Sequence, residues 1–344
     1  MMELEPNHNN EPASGRPWLT LGRLAVLLLV LAGLGALWFW SYAAGAGPAR
    51  TETLVYIPPG SSFAAIEGQL AEAGVLRPDR RFGWLAVLSG QRSQLRAGEY
   101  AIPAGASPRA ILELLAAGRT FRRQVTIPEG ANLYQVAEIL AGQQLLEASA
   151  FIAMATAPPT PAHFGLEAPT LEGWLFPDTY YFTRGQRMEE ITRVLVERAR
   201  RVLSELLAEL GNDTGLDPLE IMTLASIVEK ETGLPGERAL IAGVFFNRLE
   251  RGMRLQTDPT VIYGRQSFDR RLTREDLRTP TPYNTYVIFG LPPGPIANPG
   301  RAAIAAVLRP EQTDYLYFVS RNDGSHQFST NLRDHNRAVQ RYQR

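Results

Sequence analysis

The chain contains no cysteine. That excludes disulfides, thiol nucleophiles and cysteine metal ligands, but it does not fix the compartment, because an extracytoplasmic protein can do without bridges. Lysine is almost as scarce: Lys230 is the only one in 344 residues. Schiff-base cofactor chemistry would therefore have one residue to use, and helical spacing turns that residue away from the neighbouring apolar face. The four histidines, His8, His163, His326 and His335, show no HExxH or comparable ligand spacing, so no metal is expected. No phosphate-cradling glycine loop runs into Lys-Ser/Thr. Ser226 stands inside a helical run rather than a GxSxG elbow, which speaks against a serine hydrolase. Net charge is absent too, with 35 basic residues against 35 acidic ones. The basic residues are spread along the chain and form no nucleic-acid motif, so neither a nucleic-acid partner nor a cofactor is expected.

What is present begins with an uncharged stretch from Leu24 to Tyr42, LAVLLLVLAGLGALWFWSY, which has the length of a bilayer span and ends in an aromatic group suited to the interface. Arg16 and Arg23 precede it, and only Arg50 follows closely. This bias predicts a cytoplasmic tail over residues 1–23, a span over 24–42, and the bulk of the chain outside the cell (inner) membrane. The alternative is a cleaved signal peptide with Ala44-Gly45-Ala46 as its small-residue site. The apolar core is long for that reading.

After a linker over 43–53, a short unit occurs three times. Ile57-Pro58-Pro59-Gly60 with Ile66 and Leu70 aligns with Ile102-Pro103-Ala104-Gly105 with Ile111 and Leu115, and with Ile127-Pro128-Glu129-Gly130 with Val136 and Leu140. Each copy reads as a strand, a Pro/Gly turn and an amphipathic helix. The copies are unequally spaced, which predicts a compact α+β region over 54–124 rather than a solenoid. This region serves either as a recognition module or as a spacer. Over 125–344 the element order is again α+β, with long helices at Met188–Leu210, Pro218–Glu231 and Glu237–Arg251, a hairpin around Asn322-Asp323-Gly324 and a final helix from Asn331.

At about 100° per residue, Ile221, Leu224, Ala225, Ile227 and Val228 share a helical face that Glu231 continues. A carboxyl placed there is partly desolvated, its pKa rises, and it becomes a general acid able to work near neutral pH. The bland alternative is that Glu231 simply ends the helix at the surface, close to Gly233 and Pro235. Downstream loops carry short amide, hydroxyl and phenol side chains, the kind that hydrogen-bond a ligand polar all round, such as a sugar polymer. Each of them could equally be an ordinary turn former.

IVEKET, NRL, GMRLQTDPTVIYG, TPYNTY, GLPPGPIANPG, YLYFV, HQFSTNLRDHN and the earlier EGWLFPDTYYF, in this order, resemble the endolytic murein transglycosylase family, also called YceG-like. The resemblance spans essentially everything after the amino-terminal tail. It implies an α+β catalytic domain, a small LysM-like α+β region and a single amino-terminal transmembrane helix. It further implies lytic cleavage of the MurNAc-β-1,4-GlcNAc bond within glycan strands, leaving 1,6-anhydroMurNAc ends, and a role in terminating strand growth near peptidoglycan synthases. The family's catalytic acid maps onto Glu231. Glu229, Asn247, Gln256, Thr257, Asp258, Tyr263, Asn284 and Tyr286 are the expected substrate-binding residues. Asp258 or Asp178 opposite Glu231 would restore a hydrolytic, two-carboxylate mechanism. The runner-up is a membrane-anchored glycan-binding scaffold that cuts nothing.

Overall fold

The structure is a computed structural model that describes residues 17–343, with side chains from residue 21 onward. His8, Arg16 and most of the expected cytoplasmic tail lie outside the described residues. The chain is a mixture of helix and strand, 48% and 8% respectively, which makes it α+β. The described residues fall into two compact units, one ending at Phe121 and the other beginning at Arg122.

The first unit opens with helix α1, Pro17–Ala44, within which Leu21–Ala44 has a mean hydropathy of 2.2. Those 24 residues rise about 36 Å, enough for a hydrocarbon layer of about 30 Å. Among the described residues it is the one helix long and apolar enough to cross a membrane. Then follow β1 (Thr53–Ile57), α2 (Phe63–Glu72), α3 (Arg81–Leu88), β2 (Gly98–Ile102) and α4 (Pro108–Ala117). The strands β1 and β2 pair antiparallel from Thr53 with Ile102 to Ile57 with Gly98. The expected linker is tied down on the way, with Gly47 donating its N–H to the Gly105 carbonyl and Gly105 donating to that of Ala49.

The repeated IPxG unit has a physical cause. In each copy the isoleucine closes a strand or directly follows it, and the glycine turns the chain with φ between +66° and +79°, where a side chain would be strained. A polar side chain then accepts the first orphan helix N–H groups: Ser62 from Ala65, Ser107 from Ala110, and Asn132 from Gln135. The apolar pairs Ile66/Leu70, Ile111/Leu115 and Val136/Leu140 are all buried. Two copies build the first unit, and the third opens the second.

The second unit contains β3 (Arg123–Thr126), α5 (Leu133–Gly142), α6 (Ala148–Thr156), α7 (Pro159–His163), β4 (Thr179–Phe182), α8 (Met188–Leu210), α9 (Pro218–Glu231), a 3-10 turn at Pro235–Glu237, α10 (Arg238–Glu250), α11 (Asp258–Arg265), α12 (Arg301–Leu308), β5 (Tyr317–Ser320), β6 (His326–Ser329) and α13 (Leu332–Tyr342). Strands β3 and β4 pair antiparallel, as do β5 and β6. Helix α12 packs against α8, α9 and α10, and α10 packs against α9. At Gly243 the approach is so close that a Cβ would lie 2.2 Å from the Glu311 carbonyl oxygen.

Helix α9 departs from the expected single apolar face. All eight residues from Ile221 to Val228 are buried, Met222, Thr223 and Ser226 included. The two hydroxyls are accommodated inside: Thr223 donates to the Leu219 carbonyl, and Ser226 donates to Thr223 while accepting the Ile296 N–H. The helix starts sharply, with Pro218 in its first turn and a reciprocal capping box between Asp217 and Glu220.

Candidate active site

Glu231 is the last residue of α9, where the helix breaks into the extended Thr232. The residue retains part of its surface in solvent, yet its carboxyl is enclosed. Desolvation is the main cause that pushes its pKa up to about 8; the Asp258 carboxylate adds to the rise, and the Arg248 guanidinium opposes it.

Asp258 begins α11 and is exposed, and Tyr286 donates its phenol hydrogen to Asp258 Oδ1 at 2.7 Å. Burial, together with that hydrogen bond and the charges of Asp258 and Glu231, raises the pKa of Tyr286 and keeps it a donor. Arg248 is held from behind. Its Nε donates to the Leu316 carbonyl at 2.6 Å, its Nη1 donates to those of Arg254 and Leu255, and its guanidinium lies 5.1 Å from the Tyr317 ring centroid. Burial weakens its hold on its proton. The enclosed cation thus faces Glu231 without a direct ion pair to it among the described contacts.

Gln256 and Thr257 directly precede Asp258 in the chain. Gln256 is exposed with φ of +55°, an uncommon conformation for a non-glycine residue, and its N–H donates to the Thr285 carbonyl. Thr257 is buried, its N–H is taken by Thr285 Oγ1, and its own hydroxyl has no partner. Asp258 and Tyr286 therefore interact electrostatically with Glu231, and Gln256 and Thr257 run directly into Asp258.

The other expected residues direct their polar ends into the fold. Asn247 donates to the Thr313 and Tyr315 carbonyls, and Asn284 donates to those of Asp276, Leu277 and Thr279. Glu229 accepts the Gly300 N–H at 3.1 Å and pairs with Arg238 at 3.4 Å. Tyr263 is buried and hydrogen-bonds Glu172. Asp178 pairs with Arg198 at 2.8 Å and does not act on Glu231.

Glu172 and Arg248 were not singled out in the sequence. Glu172 is fully buried, accepts the Leu133 N–H on both oxygens, and lies 3.3 Å from Asn298 Nδ2. Burial drives its pKa up to about 7 against the opposing hydrogen bonds of Leu133 and Tyr263 and the charge of Lys230. It joins the start of α5, the Asn298 loop and α11. Its visible signal is a carboxylate set directly before the apolar run GWLF; Arg248 has only its place beside Asn247 in NRL.

Among the described residues, no cluster of three or more His, Asp or Glu could hold a metal ion. A cleft of about 1020 Å³ is lined by Trp174, Arg200, Leu207 and Pro218. It lies at the start of α9, about 20 Å along the helix from Glu231, and is separate from the carboxylate cluster.

Comparison with known proteins agrees on one family. The YceG-like family profile matches residues 55–341. An endolytic murein transglycosylase of Bacillus subtilis is 33% identical over 309 residues, a match covering 85% of each chain. One from Streptococcus pneumoniae is 31% identical over 317 residues, covering 83% of this chain and 57% of that longer relative. A crystal structure of a YceG-like protein from Listeria monocytogenes superposes with a TM-score of 0.58 at 32% identity, covering 84% of this chain and 99% of that one.

Proposed function

The chain belongs to the YceG-like family, and from that premise we propose that it is a lytic transglycosylase of peptidoglycan in which Glu231 is the sole acid and base. The observation that carries the reading is the Glu231 carboxyl, enclosed at the end of a buried helix and raised to about 8 beside a second carboxylate and a buried guanidinium.

With that pKa, roughly 90% of Glu231 is protonated at pH 7. It donates its proton to the glycosidic oxygen as the C1–O4 bond breaks, and the GlcNAc leaves with a free hydroxyl. The resulting carboxylate accepts the proton of the muramoyl C6 hydroxyl while that oxygen attacks C1, closing the 1,6-anhydro ring. Glu231 ends the cycle protonated as it began, and no water is consumed. The charge that develops on the sugar ring is met by Asp258, whose position the Tyr286 phenol fixes. Arg248 favours the carboxylate stage of Glu231, and Gln256 and Thr257 present amide and hydroxyl groups to the sugars.

The α1 helix anchors the enzyme in the inner membrane with its amino terminus in the cytoplasm and the chain that follows α1 on the wall side. The first unit acts as a LysM-like glycan-binding module. Cleavage within nascent strands ends their growth, which places the enzyme beside peptidoglycan synthases.

Uncrosslinked glycan strands incubated with wild type and with Glu231→Gln, then analysed by mass spectrometry, test this. Anhydro ends from wild type alone are expected. Reducing ends would mean hydrolysis with Asp258 as the second carboxylate. Binding without cleavage by either protein would make the chain a scaffold.

A further inference from the structure

Helix α3, RFGWLAVL, carries no charge after Arg81 and is apolar on both sides. Phe82, Leu85 and Ala86 face the core of the first unit. On the opposite side Trp84, Val87 and Leu88, spaced i, i+3, i+4, are 54%, 55% and 74% exposed. A helix apolar all round is ordinarily covered on every side. Here one face is bare.

Its position says what covers it. Helix α3 packs beside the carboxyl-terminal end of α1, and the Arg81 guanidinium lies over the rings of Trp38 and Tyr42 at 5.1 and 4.1 Å while pairing with Asp79. A cleft of about 660 Å³ is bordered by Phe39 and Trp40 from α1 and by Leu85 and Leu88 from α3, so Leu88 lies at the depth of Trp40. From Leu24, the first residue after Arg23, a rise of about 30 Å, the thickness of a hydrocarbon layer, ends near Ala43, so Trp40 lies within about 5 Å of that edge. Trp40, and with it Leu88, therefore falls where the hydrocarbon gives way to headgroups. Arg77 and Arg80, both exposed, lie just before α3, and Arg109 lies 5.9 Å from the Trp40 ring; these cations suit anionic headgroups. Tryptophan is the side chain favoured at such a boundary.

We propose that α3 is an interfacial helix, with Trp84, Val87 and Leu88 inserted into the headgroup–acyl boundary of the bilayer that α1 crosses. The first unit then lies on the lipid surface instead of swinging free on a stalk. The inference rests on reading α1 as a membrane span, so the experiment reads that separately.

Because the chain lacks cysteine, single nitroxide labels can be placed by Leu88→Cys, by Leu29→Cys in α1 and by Glu72→Cys at an exposed polar site. The full-length protein is put into nanodiscs of phosphatidylethanolamine and phosphatidylglycerol, and each label's accessibility to oxygen and to a water-soluble nickel chelate is measured by power-saturation electron paramagnetic resonance. The expected result is an oxygen-to-nickel ratio at Leu88 several-fold above that at Glu72, with Leu29 higher still. A lipid-like Leu29 with Leu88 as nickel-accessible as Glu72 overturns the proposal and leaves the span intact. A nickel-accessible Leu29 overturns the span and the proposal with it. Leu88 shielded from both reagents would mean that a second copy of the chain covers the face, and would overturn the lipid assignment.

Discussion

Neutralising Glu231 should stabilise the protein, by an amount that grows as the pH rises from about 4.5 to about 8 and then levels off. In an unfolded chain this carboxyl ionises near 4.5, and in the folded protein near 8. Between those values the folded state holds a proton that the unfolded state has released. The contribution of the neutral acid is therefore complete below about pH 4.5 and is lost as the pH rises through about 8. One proton corresponds to ~1.4 kcal/mol per pH unit at full slope. Glu231 keeps some solvent contact, so water and side-chain relaxation recover part of the loss, and about 2 kcal/mol is expected by pH 8.5. Glu231→Gln keeps the shape and removes the titration. Its thermal midpoint should match wild type at pH 5 and exceed it by roughly 4–8 °C at pH 8.5. Glu172, raised to about 7, titrates in the same range but does so in both proteins and cancels in the difference. Circular dichroism melts of the two proteins at both pH values suffice. A variant less stable at pH 8.5, or a difference independent of pH, would refute the claim that the Glu231 carboxylate is desolvated.

Two further outcomes follow from the same geometry. Asp258→Asn removes the charge that helps raise Glu231, so the alkaline limb of kcat/KM should move to lower pH; an unmoved limb would show that the two carboxyls do not sense one another. Gly243→Ala drives a methyl group to within 2.2 Å of the Glu311 carbonyl, which backbone cannot easily vacate, and should cost about 2 kcal/mol, seen as a midpoint lowered by roughly 4–8 °C; an unchanged melt would show that the segment around Glu311 moves freely.

Local features were legible in the sequence. Pro218 and the Asp217/Glu220 pair mark the start of α9 three residues before its apolar run, and the IPxG repeat marks three strand–turn–helix steps. Helical spacing alone brought Glu231 to attention. The polar candidates were harder to read because hydrogen bonding has two uses. The same amide that could grip a sugar holds backbone carbonyls in Asn247, 66 and 68 residues away, and no pattern near Asn247 announces those partners. The all-round burial of α9 was hidden for a related reason: Thr223 and Ser226 look like a solvent face until the intrahelical carbonyls and the Ile296 N–H that satisfy them are seen. Glu172 is an extreme case, a carboxylate whose acceptors are filled by Leu133, Asn298 and Tyr263 from three separate segments.

The ties that join those segments also set a timetable. Gly130 donates to the Asn298 carbonyl, the Asn298 N–H returns to Ala131, and Asn298 Oδ1 accepts the Leu175 N–H, a clasp between parts of the chain up to 168 residues apart. Arg248, meanwhile, waits for the Leu316 carbonyl. Synthesis delivers Glu231 long before either partner. The helix that ends in the acid is itself tied to residues made later, with Ser226 accepting the Ile296 N–H and Glu229 that of Gly300. The tethers of the acid's own helix are therefore complete only after residue 300 has been made, some seventy residues behind the acid itself.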